Sequence, residues 1–287
     1  MVVKEKKFNP GPLFAILTGL SFSIGGLCIK NISWSPLAIN GARSLIAVIV
    51  FGIFLLATKH KLKINVPVII GALSVSLTTI LYTTANKMTT AGNTVVLEFT
   101  APIFVLLLEM IIFRKKPTKL DVVATILIFA GIVCFFVDSL SAGNMLGNFL
   151  ALLSGITYAG VFMMGEAKGA DSRSSTFFGM CINIIVCLPF VFREDIPATQ
   201  SNEWIALIAL GVVQVGLAYV FLNLSLKTTS AVVSCLMVGI EPILNPILVA
   251  VFYGEHLSTL SIIGAVIVII SILVYNLLKL KKVKVTA

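Results

Sequence analysis

Cys235-Leu-Met-Val-Gly-Ile-Glu-Pro-Ile-Leu-Asn-Pro-Ile-Leu-Val-Ala-Val-Phe-Tyr-Gly-Glu255 is an apolar run long enough to cross a bilayer. A carboxylate, Glu241, and two prolines, Pro242 and Pro246, stand near its middle. A second copy of the stretch lies upstream. At one constant offset Lys87, Thr89, Ala91, Pro102, Ile103, Leu108 and Leu120 fall on Lys227, Thr229, Ala231, Pro242, Ile243, Leu248 and Leu260. Proline deletes a backbone donor and clashes with the carbonyl one turn back, so both helices should bend or open at that depth.

Composition fixes the solvent. Of 287 residues 58% are hydrophobic and 11% charged, with mean hydropathy +1.07, against about 25% charged in soluble domains. The net charge of +9 is spread over short gaps between apolar runs, with no basic stripe interleaved with aromatics. This excludes nucleic acid as a partner and makes the lipid bilayer one. The five cysteines all lie inside apolar runs and form no CxxC pair, as small core hydrophobes do. Two lone histidines, His60 and His256, supply no metal site, and no cofactor is expected.

Ten windows are apolar enough to span, approximately 12–29, 36–57, 66–86, 91–113, 120–137, 145–164, 174–192, 204–225, 231–252 and 260–278. Seventeen of the 21 Lys and Arg fall on the side shared by both termini, three on the other (Lys30, Lys87, Arg193), and Arg43 inside a span. The positive-inside bias then makes both termini cytoplasmic and the chain a multi-pass protein of the cytoplasmic membrane. A second correspondence matches Gly11, Ala15, Thr18, Gly19 and Phe22 with Gly147, Ala151, Ser154, Gly155 and Tyr158. Residues 1–140 and 141–287 are thus five-span repeats, and an odd number of spans makes them insert upside down relative to each other. The expectation is an all-α integral membrane protein of ten helices in two inverted-topology repeats.

Gly-x3-Ala-x2-Ser/Thr-Gly opens each half, Pro36 and Arg43 stand in the second span, and Glu241-Pro242 leads to Gly254-Glu255-His-Leu after the ninth. With the five-plus-five order, this resembles the EamA-type family of the drug/metabolite transporter superfamily. The resemblance implies a secondary carrier, most often an exporter of amino acids or other small metabolites, with a central cavity between the halves. The first half departs from the pattern, with Arg114-Lys115 in place of Gly254-Glu255.

Ionisable groups at bilayer depth are costly and face the bundle interior. Arg43 and Glu98 each lie seven residues into a span that starts on the external side, at matching depth. They are expected to pair if their helices face each other, either as a structural lock or as part of the site. Glu241 precedes Pro242, whose missing donor frees a carbonyl for water or a substrate ammonium. A partly desolvated carboxylate there is a candidate for proton exchange, or for repair of the broken helix. Glu109, one turn from Arg114 and Lys115, should snorkel to them. Tyr82, Asn93, Tyr158, Asn183, Gln214, Tyr219, Asn223 and Asn245 should point inward, as cavity wall or as interhelical glue. Phe22 and Tyr158 are equivalent in the repeat and either gate a cavity or fill a core.

The reading is a non-enzymatic carrier working by alternating access, with one small-molecule site near the midplane. Gln214, Asn245 and tyrosines Tyr82, Tyr158 and Tyr219 would hold the solute, with Glu98 or Glu241 giving charge recognition or proton coupling and Pro102, Pro242 and Pro246 breaking the helices. Helices interrupted at matching positions of two repeats mark such sites. Arg43 as the lone cavity cation speaks against sugar phosphates. A uniporter or channel is the alternative, then a membrane-embedded transferase, for which no catalytic constellation is visible. Monomer and homodimer are both compatible with the sequence.

Overall fold

The computed structural model describes residues 9–89, 91–137, 144–244 and 258–285. Among these, no strand occurs. Chain order runs α1 (Gly11–Phe22), α2 (Gly25–Asn31), α3 (Pro36–Ala57), α4 (Val66–Met88), α5 (Ala91–Glu98), α6 (Ala101–Ile111) and α7 (Lys119–Phe136). It continues with α8 (Met145–Met163), α9 (Ser172–Cys187), α10 (Ser201–Ala209), a π-helical segment (Leu210–Leu217), α11 (Ala218–Leu226), α12 (Ala231–Val238) and α13 (Thr259–Val285). Seven helical stretches are long and apolar enough to cross a membrane, and Ala231–Leu244 and Ile262–Leu278 are shorter apolar ones.

The starts of the helices are dictated locally. Ser35 accepts a hydrogen bond from Ala38 N ahead of Pro36, and Asn65 from Val68 N ahead of Pro67. Asn144, Asp171 and Ser230 cap α8, α9 and α12 in the same way. Each satisfies an amide that the helix leaves orphaned. Between caps the exterior is apolar: Met145 is 86% exposed and Leu56 80%. The interior is where polarity collects, with Thr18, Ser44, Asn40, Thr83, Ser154 and Asn183 buried. That distribution suits a lipid solvent, in which small polar residues join helices.

The α7–α13 contact shows the principle. Thr118 and Asp121 form a capping box at the start of α7, and Tyr275 Oη of α13 donates to Asp121 Oδ1 at 2.7 Å. Asp121→Ala removes the box and the partner of a buried hydroxyl. A loss of about 1–3 kcal/mol is expected, read as a lowered thermal midpoint of the detergent-solubilised protein with α-helical content unchanged below it.

Three expected spans are not continuous. The first breaks at Ser23–Ile24, between α1 and α2, where no proline stands. The fourth breaks at Phe99–Thr100, between α5 and α6, just ahead of Pro102. In the ninth, α12 ends at Val238, with a turn at Gly239–Ile240 before Pro242. Pro246 and Asn245 lie outside the described residues.

Segments from the two ends of the chain interleave. α1 packs against α11 and α12, and α8 against α4, α5 and α6. Two glycines approach the broken helices closely. A Cβ on Gly155 of α8 would lie 2.8 Å from the Glu98 carbonyl and 2.7 Å from Thr100 Oγ1. A Cβ on Gly19 of α1 would lie 2.9 Å from the Val238 carbonyl and 2.7 Å from Ile240 Cγ2. Glu98 and Val238 are the residues one turn before Pro102 and Pro242, so each glycine rests on the carbonyl that a proline has deprived of its donor.

Candidate functional site

Where the broken helices meet, one cavity is lined by Phe22, Arg43, Thr78, Thr79, Tyr82, Glu98, Tyr158, Gln214, Val215, Tyr219 and Glu241. Its volume is about 30 Å³. That is room for roughly two waters. Seven residues singled out in the sequence, Arg43, Tyr82, Glu98, Tyr158, Gln214, Tyr219 and Glu241, are brought together here. Asn245 is outside the described residues.

Arg43, 1% exposed, is held by neutral acceptors. Its Nε and Nη2 donate to Asn40 Oδ1 at 3.2 and 2.9 Å, and its Nη1 to Gln214 Oε1 at 3.1 Å. Nη2 also reaches the Thr79 carbonyl at 3.1 Å and Thr83 Oγ1 at 2.7 Å. Gln214 is presented by the π-helical segment, a wide turn that is rare and recurs at functional sites.

The expected Arg43–Glu98 ion pair does not form. Both side chains line the cavity, but the guanidinium is taken up by Asn40, Gln214, Thr79 and Thr83, and among the described residues Glu98 Oε1 accepts from Ser154 Oγ alone, at 3.4 Å. The physical reason is geometry: α4 presents acceptors at Thr79 and Thr83, one turn apart on the face next to α3. Glu241 Oε2 and Tyr158 Oη are both buried with no formed hydrogen bond, although the hydroxyl faces the carboxylate. The site therefore contains two buried carboxylates and one guanidinium that is committed elsewhere.

Aromatic rings pack around the carboxylates. Phe22 meets Tyr158 and Tyr219 edge-on, with centroids 6.2 and 5.6 Å apart. Asn93, Asn183 and Asn223 do not line the cavity and serve as glue. Asn183 accepts from Ser76 Oγ and donates to Thr79 Oγ1, Asn93 donates to Asn148 Oδ1, and Asn223 donates to Thr176 Oγ1. Glu109 is buried at 7% exposure, and Lys115 forms an ion pair with Glu166. Thr78, Thr79 and Ser154 were missed in the sequence; the run of threonines at 78, 79, 83 and 84 in one apolar span was the available signal.

Both ends of the molecule are tied. At one end Trp34 is buried, stacked edge-on to Trp204 at 5.4 Å and donating from Nε1 to Thr199 Oγ1 at 2.8 Å. Beside it Ser33 N donates to Glu203 Oε1 and Ser35 Oγ to Glu194 Oε1, both at 2.5 Å, and Lys87 Nζ reaches the Ile32 carbonyl. At the other end His60 Nε2 lies 3.1 Å from Asp171 Oδ1 and Asn65 Nδ2 donates to the Gly169 carbonyl at 2.8 Å.

The cavity lies between helices interrupted ahead of Pro102 and Pro242. The model of the EamA-like transporter family matches residues 9–137 and again 145–277, and the chain belongs to that family. It is 25% identical over 173 residues to an uncharacterised transporter, YxxF, of Bacillus subtilis, covering 58% of this chain and 56% of that relative's length. It is also 25% identical over 294 residues to an uncharacterised transporter of Clostridium kluyveri, covering 93% of each. One crystal structure superposes with a TM-score of 0.79 at 17% identity over 93% of this chain and 97% of the other, a likeness in fold alone. The protein is a multi-pass membrane transporter.

Proposed function

We propose that the chain is a secondary carrier that moves a small amine-bearing metabolite, an amino acid or similar solute, across the cytoplasmic membrane by alternating access. The single observation that carries this reading is the pair Glu98 and Glu241, buried in one cavity with no ion pair to either among the described residues, while Arg43, on the same cavity wall, is hydrogen-bonded to neutral acceptors. An ammonium group supplies the missing charge, and so do protons when the cavity is empty, which gives exchange and a route to proton-driven export. The solute-free cavity is too small for a metabolite, so opening one tied end is part of the cycle. Ten spans in two inverted halves, 1–140 and 141–287, with both termini cytoplasmic, complete the reading. In support stand the double match of the family model and the paired contacts of Gly19 and Gly155 on equivalent carbonyls.

The test is counterflow in proteoliposomes with labelled amino acids and amines, the panel being narrowed first by metabolite exclusion from overexpressing cells. Saturable counterflow of an amine-bearing solute is expected. Glu241→Gln and Glu98→Gln should each lower it at least about tenfold, equal to about 1.4 kcal/mol, with an unchanged elution profile. Full transport by both folded variants overturns the role of the carboxylates. Flux that never saturates makes the protein a channel instead.

A further inference from the structure

Away from the central cavity a groove of about 390 Å³ runs between α4, α6 and α8. Ile70, Leu108, Ile112, Phe113, Ile156 and Met163 form its walls, and Ile70, Ile112 and Ile156 are exposed toward the surrounding lipid. Its floor consists of small residues, including Gly71, Ser74, Thr157 and Gly160. The two hydroxyls there are turned into their own helices: Ser74 Oγ donates to the Ile70 carbonyl at 3.0 Å and Thr157 Oγ1 to the Ser154 carbonyl at 3.0 Å. The groove therefore offers an occupant apolar surface, and any polar part of that occupant must lie at the mouth.

The mouth is basic. Phe113 sits there under Lys115, whose Nζ is 5.6 Å from the ring centroid and donates to Glu166 Oε2 at 2.5 Å. That hydrogen bond holds the Lys115 ammonium above its ordinary pKa, so it is charged at neutral pH. Glu166 is the one acid in the two turns 113–119 and 165–170, and Lys115 neutralises it. Arg114, Lys116, Lys119 and Lys168 remain exposed in those turns. The flanking acids are engaged elsewhere, Asp121 with Tyr275 and Asp171 with His60.

We propose that this groove binds an anionic phospholipid, one acyl chain lying between α4, α6 and α8 and the phosphate headgroup against Arg114, Lys116 and Lys168. A dry slot that ends in uncompensated cations matches a molecule that is apolar along its length and negative at one end. Basic pockets between spanning helices take such headgroups. The site stands apart from the solute cavity and does not depend on what is transported.

The test uses the full chain in neutral detergent, titrated with dioleoyl phosphatidylglycerol, with dioleoyl phosphatidylcholine, and with glycerol phosphate as the chainless headgroup. Native mass spectrometry and the thermal midpoint are read together. Phosphatidylglycerol should be retained at least about tenfold more strongly than phosphatidylcholine, and glycerol phosphate should shift nothing, since the chain supplies most of the affinity. Arg114→Gln/Lys116→Gln/Lys168→Gln should bring phosphatidylglycerol down to the phosphatidylcholine level. Ala167→Trp, at the groove mouth, or Ile112→Trp should weaken both lipids, the variant used being whichever matches the wild-type elution profile. Equal retention of the two lipids by the wild-type protein overturns the proposal. So does a phosphatidylglycerol preference that survives the tryptophan, because it would then reside in surface charge alone.

Discussion

Arg43→Met leaves a protein that inserts but melts early and carries out no measurable counterflow. The side chain it removes, steadied by Asn40 of its own helix, ties α3 to α4 through Thr79 and Thr83 and to the π-helical segment through Gln214. Hydrogen bonds between spanning helices are worth about 0.6 kcal/mol on average, with about 1.7 at the upper end. The three contacts that cross between helices therefore amount to roughly 2 kcal/mol, a sizeable share of the stability of any domain. Arg43→Lys keeps the charge but brings one nitrogen to acceptors that a planar fork reaches at three points. Its thermal midpoint should fall between those of wild type and Arg43→Met, while counterflow stays near that of Met, because Gln214 is left unaimed. A wild-type midpoint for Arg43→Met would show that the cluster binds nothing together.

Gly155→Leu should yield no folded protein at all. A single Cβ already comes within 2.8 Å of the Glu98 carbonyl, a backbone atom that cannot swing aside. Gly155→Ala therefore forces α8 away from the break, and overpacking of this kind costs about 1–3 kcal/mol. Because the displaced contact borders Glu98, counterflow should fall further than the thermal midpoint does. Gly52→Ala is the control: no atom lies within 4 Å of its Cβ, and helix propensity favours alanine by up to about 1 kcal/mol. Monodisperse yield and melting midpoint across Gly52→Ala, Gly155→Ala and Gly155→Leu give the ordering. Normal yield for Gly155→Leu would refute the close seam.

Much of this architecture was legible in the residues because lipid imposes simple rules. The spans announce themselves by composition, and Pro102 and Pro242 mark their breaks because proline acts on its own backbone wherever it stands. The gathering of Arg43, Glu98, Glu241, Gln214 and three tyrosines followed from the cost of placing them anywhere else. Partner choice did not follow. Arg43 lies nearer in energy to four neutral acceptors than to Glu98, and only the rotation of α4 about its axis decides that. The break at Ser23–Ile24 and the wide turn at Leu210–Leu217 have no proline to announce them; they arise from packing against neighbours.

The seam at Gly19 and Gly155 is made against main-chain oxygen, an atom every amino acid carries. Mutation can therefore replace the side chains that line the cavity, Glu98 included, without removing the oxygen on which the seam is built. Descendants of such a chain are free to change the cavity lining one side chain at a time while inheriting the seam intact.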